Sequence, residues 1–241
     1  MPRFFVKETF FSGQIVALPD TTVRHIQALR LKPEAEVTLF NGEGGEWQAR
    51  LTPLGRRDIQ AELLSHQAIE RESPLDITLV QGVSSGERMD YTLQKAVELG
   101  VSGIQPLLTE RAARIPADRL ESRQLHWQRV VESACEQCGR NRVPEVKPLL
   151  SWKAWQQAAR ELPGFILSPL GTTPLPGLPQ PAAAFGLLAG PEGGLTPAEE
   201  ASMLTLGWLP VKLGPRILRT ETAALAALAA LQTLWGDYGD A

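Results

Sequence analysis

Cysteine is scarce in this chain of 241 residues: there are two, Cys135 and Cys138. That excludes a disulfide scaffold, and the shortage points to a reducing compartment, read here as the cytoplasm. Histidine is nearly as scarce. His25, His66 and His126 lie far apart, so Cys135 and Cys138 have no second half with which to build a zinc site. No bound metal is expected. The start, Met1-Pro2-Arg3-Phe4-Phe5, lacks the apolar core of a signal peptide. The longest near-apolar run, Ala223 to Trp235, is interrupted by Gln232 and Thr233 and falls short of the roughly 18 residues that suggest a membrane span. No internal repeat or low-complexity tract occurs. An excess of positive charge is lacking too, since the formal net charge is −3. A global positive field therefore cannot explain any nucleic-acid binding; a local patch would have to.

Against these absences stands a hydrophobic content of 43%, enough for a substantial core. The most informative stretch runs from Phe185 to Glu200. Phe185 to Ala189 is an apolar run long enough for a buried strand. It breaks at Gly190-Pro191-Glu192-Gly193-Gly194, where glycines leave no Cβ in a ligand's way. Thr196, Pro197 and Glu199 then form a capping box with proline at the first helical position. Strand, open loop and capped helix make a place to hold a small molecule against bare backbone. The loop is neither the Gly-x-Gly-x-x-Gly dinucleotide fingerprint nor a Walker loop, and by itself it is equally the signature of a tight strand-to-helix turn.

Residues 1 to 70 read as a small β-barrel. Strand candidates are Phe4 to Phe11, Gln14 to Leu18, Val37 to Phe40, Trp47 to Leu51 and Ile59 to Leu64, with a hairpin over Asn41 to Glu46 and one short helix over Thr22 to Leu31. Residues 65 to 74 are polar, end in proline and read as a linker. From Leu75 the rhythm changes to strands (Ile77 to Val80, Ile104 to Leu108, Phe165 to Leu167) alternating with helices (Arg88 to Leu99, Leu120 to Gln137), which implies a mostly parallel sheet. The first helix turns Met89, Leu93, Ala96 and Val97 inward and stops at Gly100. The second turns Trp127, Val130, Val131 and Ala134 inward. Pro169 to Pro181 is read as an ordered surface loop.

A second glycine-bearing bend, Leu213 to Ala223, precedes a helix through Leu225, Leu228, Leu231 and Trp235, with Thr220 or Thr222 able to cap it. That helix is apolar nearly all round, as a core helix or a subunit interface requires. The Cys-x-x-Cys reads as small buried helix side chains rather than a redox pair. Around it Arg111, Arg114, Arg119, Arg123, Arg129, Arg140 and Arg142 concentrate arginine locally. That is either a solvated helix face or a phosphate-contacting patch, because guanidinium forks match phosphate oxygens.

Five segments resemble the ribosomal small subunit methyltransferase E family, within the SPOUT class of RNA methyltransferases. They are Gly86-Glu87-Arg88-Met89-Asp90 with Gln94 to Gly100; Glu110-Arg111; Glu136-Gln137-Cys138-Gly139-Arg140; Gly190 to Gly194; and Leu213 to Ala223. The resemblance implies a PUA-like RNA-binding domain over 1–70 and an α/β SPOUT methyltransferase domain with a C-terminal trefoil knot over 75–241. It implies S-adenosylmethionine as cofactor, a homodimer, and methylation of N3 of a particular uridine in 16S ribosomal RNA or the small subunit. A SPOUT enzyme acting on ribose 2′-hydroxyl or transfer RNA, and a non-catalytic RNA-binding assembly factor, are the alternatives.

Carried over residue by residue, the resemblance puts the cofactor against Leu167, Ser168, Leu188, Gly190, Pro191, Glu192, Gly193, Gly194, Leu213, Gly214, Ile217, Leu218, Thr220, Thr222 and Ala223. Arg3, Arg88, Arg111, Arg140 and Arg142 become RNA contacts. Arg219 is suited to stabilise a uracilate anion or hold a phosphate, and Glu221 to accept the N3 proton or orient Arg219. Glu192 is a second carboxylate candidate. Two positions depart from the family pattern: Ala189, where a larger aliphatic residue is common, and Ser84-Ser85, where a basic residue is often found.

Overall fold

The computed structural model describes residues 1–53 and 59–239, which fall into two compact units. Met1–Glu72 and Glu132–Val143 form the first; Ser73–Val131 and Pro144–Ala241 form the second. The elements in chain order are β1 (Arg3–Phe5), β2 (Ile15–Ala17), α1 (Asp20–Ala28), β3 (Glu36–Phe40), β4 (Glu46–Pro53), β5 (Ile59–Gln67), β6 (Ile77–Gly82), α2 (Gly86–Glu98), β7 (Gly103–Leu108) and α3 (Leu120–Cys138). There follow β8 (Glu145–Val146), β9 (Leu150–Ser151), α4 (Trp152–Ala158), β10 (Gly164–Leu167), β11 (Thr173–Pro174), β12 (Phe185–Ala189), α5 (Pro197–Thr205), β13 (Leu209–Lys212) and α6 (Thr220–Trp235).

The first unit is a five-stranded sheet in the order β1-β3-β4-β5-β2, antiparallel except for β1 on β3. It is an open half-barrel rather than the closed barrel expected. Among the described residues its two edges, β1 and β2, do not pair with each other. Phe4, Val16, Val37, Leu39, Ala49, Leu51, Ala61 and Leu63 alternate onto one face, which Val23 and Ile26 of α1 help to cover. The stretch read as a linker from residue 65 belongs to β5 as far as Gln67, because Ser65, His66 and Gln67 pair with Gln48, Trp47 and Glu46. Ladder bonds come from the backbone and need no apolar side chain.

The second unit holds an eight-stranded parallel sheet in the order β11-β13-β10-β12-β6-β7-β8, with β9 also on β7. On one face Val80, Leu107, Ile166 and Leu188 meet Trp155 and Ala159 of the α4 segment and Met203 of α5. Alternate residues such as Leu79 and Leu187 point the other way and are equally buried. α6 packs against α2 and β12.

Within one protomer α6 is covered along one stripe, Ala224, Ala227, Leu228, Leu231 and Gln232, and Leu234 is exposed. Neither candidate threonine caps it. Arg219 is the N-cap residue, Thr220 starts the helix, and the Thr220 hydroxyl is used elsewhere. The segment Pro169 to Pro181 contains β11 and a 3-10 turn, Leu175–Gly177, so it is structured. Among the described residues no helix is long and apolar enough to cross a membrane.

Candidate active site

In a parallel sheet all strands end at one edge, and ligands sit in the crevice beyond those ends. Here the loops after β10, β12 and β13 line one cavity of about 510 Å³. The loop after β12 is tight: the Gly194 N–H donates to the Pro191 carbonyl at 2.8 Å, and Gly194 has φ +68°. Thr196 then caps α5 in a complete capping box. Gly82, at the end of neighbouring β6, lets this loop approach, because a Cβ there would stand 2.6 Å from Pro191 N and Cδ. The two glycine-bearing bends meet directly. The Thr220 hydroxyl, at the start of α6, donates to the Gly190 carbonyl. Gln81 Nε2, fully buried, donates to Thr220 Oγ1 at 3.2 Å and to the Gly190 carbonyl at 3.4 Å.

The cavity wall is apolar at Leu167, Val211, Leu213 and Ile217, and charged at its rim. Three carboxylates line it, each with different partners. Glu192 Oε1 accepts from the Ser85 N–H, the Ser85 hydroxyl and Arg88 Nη1. Burial alone would raise its carboxyl, but the Ser85 bonds and the Arg88 charge outweigh burial and hold it below the ordinary value. Glu200 accepts from the Ser168 hydroxyl at 3.0 Å. Glu221 has a covered Oε2 without a hydrogen-bond partner among the described residues. Arg219 also lines the cavity. Its guanidinium is exposed and has no hydrogen bond or ion pair among the described residues. Arg219 and Glu221 thus line the same cavity, with no ion pair between them among the described residues.

The RNA methyltransferase domain family matches residues 71–232, and the RNA methyltransferase PUA domain family matches residues 18–64. A ribosomal RNA small subunit methyltransferase E from Buchnera aphidicola is 34% identical over 244 residues, covering 98% of each chain. The chain belongs to the ribosomal RNA small subunit methyltransferase E family. A solved family structure from Neisseria gonorrhoeae, bound to S-adenosyl methionine, shares 47% identity, 99% coverage of both chains and a TM-score of 0.91. A methyltransferase from Legionella pneumophila in complex with the cofactor SAM shares 36% identity, 98% coverage of both chains and a TM-score of 0.93.

In this methyltransferase E chain, most residues assigned to the cofactor from sequence line the one cavity: Leu167, Ser168, Gly190 through Gly194, Leu213, Gly214, Ile217, Leu218, Thr220 and Ala223. Leu188 and Thr222 do not. Leu188 packs in the core, and its neighbour Ala189, the last residue of β12, lines the cavity. Thr222 is exposed on α6. The arginines assigned to RNA divide. Arg88 and Arg111 line the cavity, and Arg111 Nη1 donates to the Gly193 carbonyl at 2.9 Å.

Arg3 and Arg140 are turned inward within the first unit. Arg3 pairs with Glu46, donates to Asn141 Oδ1 at 2.7 Å and lies 5.0 Å over the Phe40 ring. Arg140 is 5% exposed and donates from Nε and Nη2 to Glu72 Oε2. Neither guanidinium is presented to a phosphate. Arg142 is exposed and lies 3.6 Å from Glu70.

Sequence reasoning missed Gln81, Val211, Lys212 and Glu200. Gln81 had a signal, being an amide inside the apolar run of β6. Glu200 had none, since it follows the capping glutamate as an ordinary first-turn acid. Cys135 is buried and Cys138 half-buried, and both are free thiols. Among the described residues no group of three or more His, Cys, Asp or Glu is placed to hold a metal ion.

Proposed function

We propose that the chain uses S-adenosylmethionine to methylate N3 of a specific uridine in 16S ribosomal RNA of the small subunit. The observation that carries this reading is the Thr220–Gly190 contact. It joins two bends 30 residues apart into one cavity that has an unpaired Arg219 and an unsatisfied Glu221 at its wall. The cavity suits the cofactor. Its volume is within the range of small-molecule sites, its wall is apolar where adenine would lie, and its loops offer backbone close to the ligand.

In this reading the backbone of Gly190, Gly193, Leu213, Gly214 and Leu218 holds the adenosine, and Leu167, Ile217 and Leu218 wall it. When bound, the cofactor supplies an electrophilic methyl group on a sulfonium. The protein aligns donor and acceptor and keeps water out. Uridine N3 carries a proton and is a poor nucleophile until that proton leaves. Glu221 accepts it, and Arg219 stabilises the uracilate that forms. Glu192 is the weaker proton acceptor, because its Oε1 already takes three donors and they lower the proton affinity of its carboxyl.

The wider reading has residues 1–70 as a PUA-like RNA-binding domain, with Arg142 toward RNA, and 75–241 as the catalytic domain. The cationic rim formed by Lys212, Arg216 and Arg219 suits incoming phosphate. The C-terminal segment passes through a loop to form a trefoil knot. Two copies pair in the cytoplasm through the apolar surface of α6 left uncovered around Leu234. Family membership supports each of these.

Arg219→Ala and Glu221→Ala test the site. Turnover is lost in both, while calorimetric affinity for S-adenosylmethionine stays within a few-fold of the unsubstituted protein. Normal turnover in both variants refutes the assignment. Absence of cofactor binding by the unsubstituted protein favours a non-catalytic RNA-binding factor.

A further inference from the structure

Ser85 occupies the N-cap position of α2, yet its side chain does not cap that helix. Its hydroxyl donates to Glu192 Oε1 at 2.7 Å, and its backbone N–H donates to the same oxygen at 2.9 Å. Arg88, in the first turn of α2, reaches that oxygen at 3.3 Å. The Glu192 carboxylate therefore lies at the positive end of the helix and satisfies a backbone donor that Ser85 would otherwise leave to water.

Glu192 belongs to the turn closed by the Gly194-to-Pro191 hydrogen bond, inside the loop that lines the cavity. The opposite side of the same loop is held by Arg111 on the Gly193 carbonyl. A glycine-rich loop has the most conformational freedom to lose on ordering, so contacts that fix it before ligand arrives lower the cost of binding.

Resting on the reading of this cavity as the cofactor site, we propose that Ser85 and Arg88 are positioning residues that clamp Glu192 and hold the Gly190–Gly194 backbone ready for the cofactor. Ser85, one of the two departures from the family pattern, thus has a task in this chain. Arg88 serves the loop rather than RNA. The contributions are unequal. The Arg88–Glu192 pair has side chains 46% and 29% exposed, and solvent screens such pairs to little net effect. The Ser85 bonds go to a charged oxygen and weigh more.

The test is calorimetry with S-adenosylmethionine on the full chain, with circular dichroism melts to establish folding and steady-state kinetics on ribosomal RNA. Glu192→Ala weakens cofactor binding about tenfold or more, Ser85→Ala about three- to tenfold, and Arg88→Ala less than about threefold. Glu192→Gln keeps an amide oxygen for both Ser85 donors and restores most of the affinity. The loss falls on KM for the cofactor rather than on kcat. If Glu192→Ala fails to fold, Ser85→Ala carries the test alone.

Wild-type affinity in both Ser85→Ala and Glu192→Ala overturns the clamp. So does a Glu192→Gln variant as inactive as Glu192→Ala that also loses the acidic limb of its pH–rate profile, since that marks a proton acceptor. Failure of the unsubstituted protein to bind the cofactor refutes the reading of the cavity itself and is seen before any variant is made.

Discussion

Replacing Thr220 with valine deletes one hydroxyl at the point where the loop after β12 meets the start of α6. The shape of the side chain is nearly unchanged, so packing is preserved and the hydrogen bonds are isolated. Thr220 is 9% exposed. Its hydroxyl donates to the Gly190 carbonyl and accepts from Gln81 Nε2 at 3.2 Å. In the variant, Gly190 keeps only the Gln81 contact at 3.4 Å, while Gln81 retains its 3.0 Å bond to the Gly82 carbonyl. Gly190 is half-buried, and its carbonyl is left poorly satisfied, which costs about 1–3 kcal/mol.

At roughly 2–4 °C per kcal/mol for a unit of this size, a central value of about 2 kcal/mol lowers Tm by about 4–8 °C. The same loss loosens the loop, so cofactor affinity falls by about tenfold if about 1.4 kcal/mol of it appears in binding. Calorimetric unfolding and calorimetric titration with S-adenosylmethionine measure the two effects on one preparation. If Thr220→Val leaves both Tm and affinity unchanged, this contact does not hold the two bends together, and the account of the site fails at its base.

Two further perturbations concern the first unit. Burial alone would raise the Glu46 carboxyl, but hydrogen bonds from Arg3, Arg71 and Asn141 and the Arg3 charge hold it below the ordinary carboxylate value. A lowered folded-state value means that its stabilisation is fully present above about pH 4.3, the free-glutamate value, and is lost as pH falls through the folded value. Glu46→Gln therefore destabilises at pH 7, and in urea unfolding the gap to the unsubstituted protein closes below about pH 4; an equal gap at both pH values refutes the linkage. Burial pushes the Cys135 thiol up to about 12, so in the folded protein at pH 8 it resists iodoacetamide and is alkylated only in denaturant. Mass mapping that finds Cys135 labelled in the native state contradicts its burial.

Some of this architecture was legible from local chemistry. The strand Phe185–Ala189 and the Thr196 capping box match the sequence pattern, because an apolar run stopped by Gly-Pro and a side-chain cap are both decided within a few residues. β13 was not legible. Pro210 lies within it, and proline argues against a strand inside a sheet. It is accommodated because β11 pairs only with Val211 and Lys212, so at Pro210 that side of β13 has no partner strand. β8, β9 and β11 have two residues each and exist only by pairing with longer neighbours, which no local pattern reports.

The site divides in the same way. Glycine loops announce themselves by composition. The direction of a guanidinium does not, which is why Arg140 reads as an RNA contact in the sequence and lies buried on Glu72 in the fold. The Thr220 hydroxyl offered a cap by position, and a carbonyl brought in from a distant bend took it instead.

β12 has one further consequence. Leu188 packs in the core while Ala189, the last residue of the strand, lines the cavity, so interior and site meet at one strand end. Inserting or deleting one residue within the strand would turn every later side chain to the opposite face of the sheet and shift the Gly190–Gly194 turn along the edge of the cavity. The length of this one strand therefore sets both the packing of the interior and the place of the glycine turn beside the cavity.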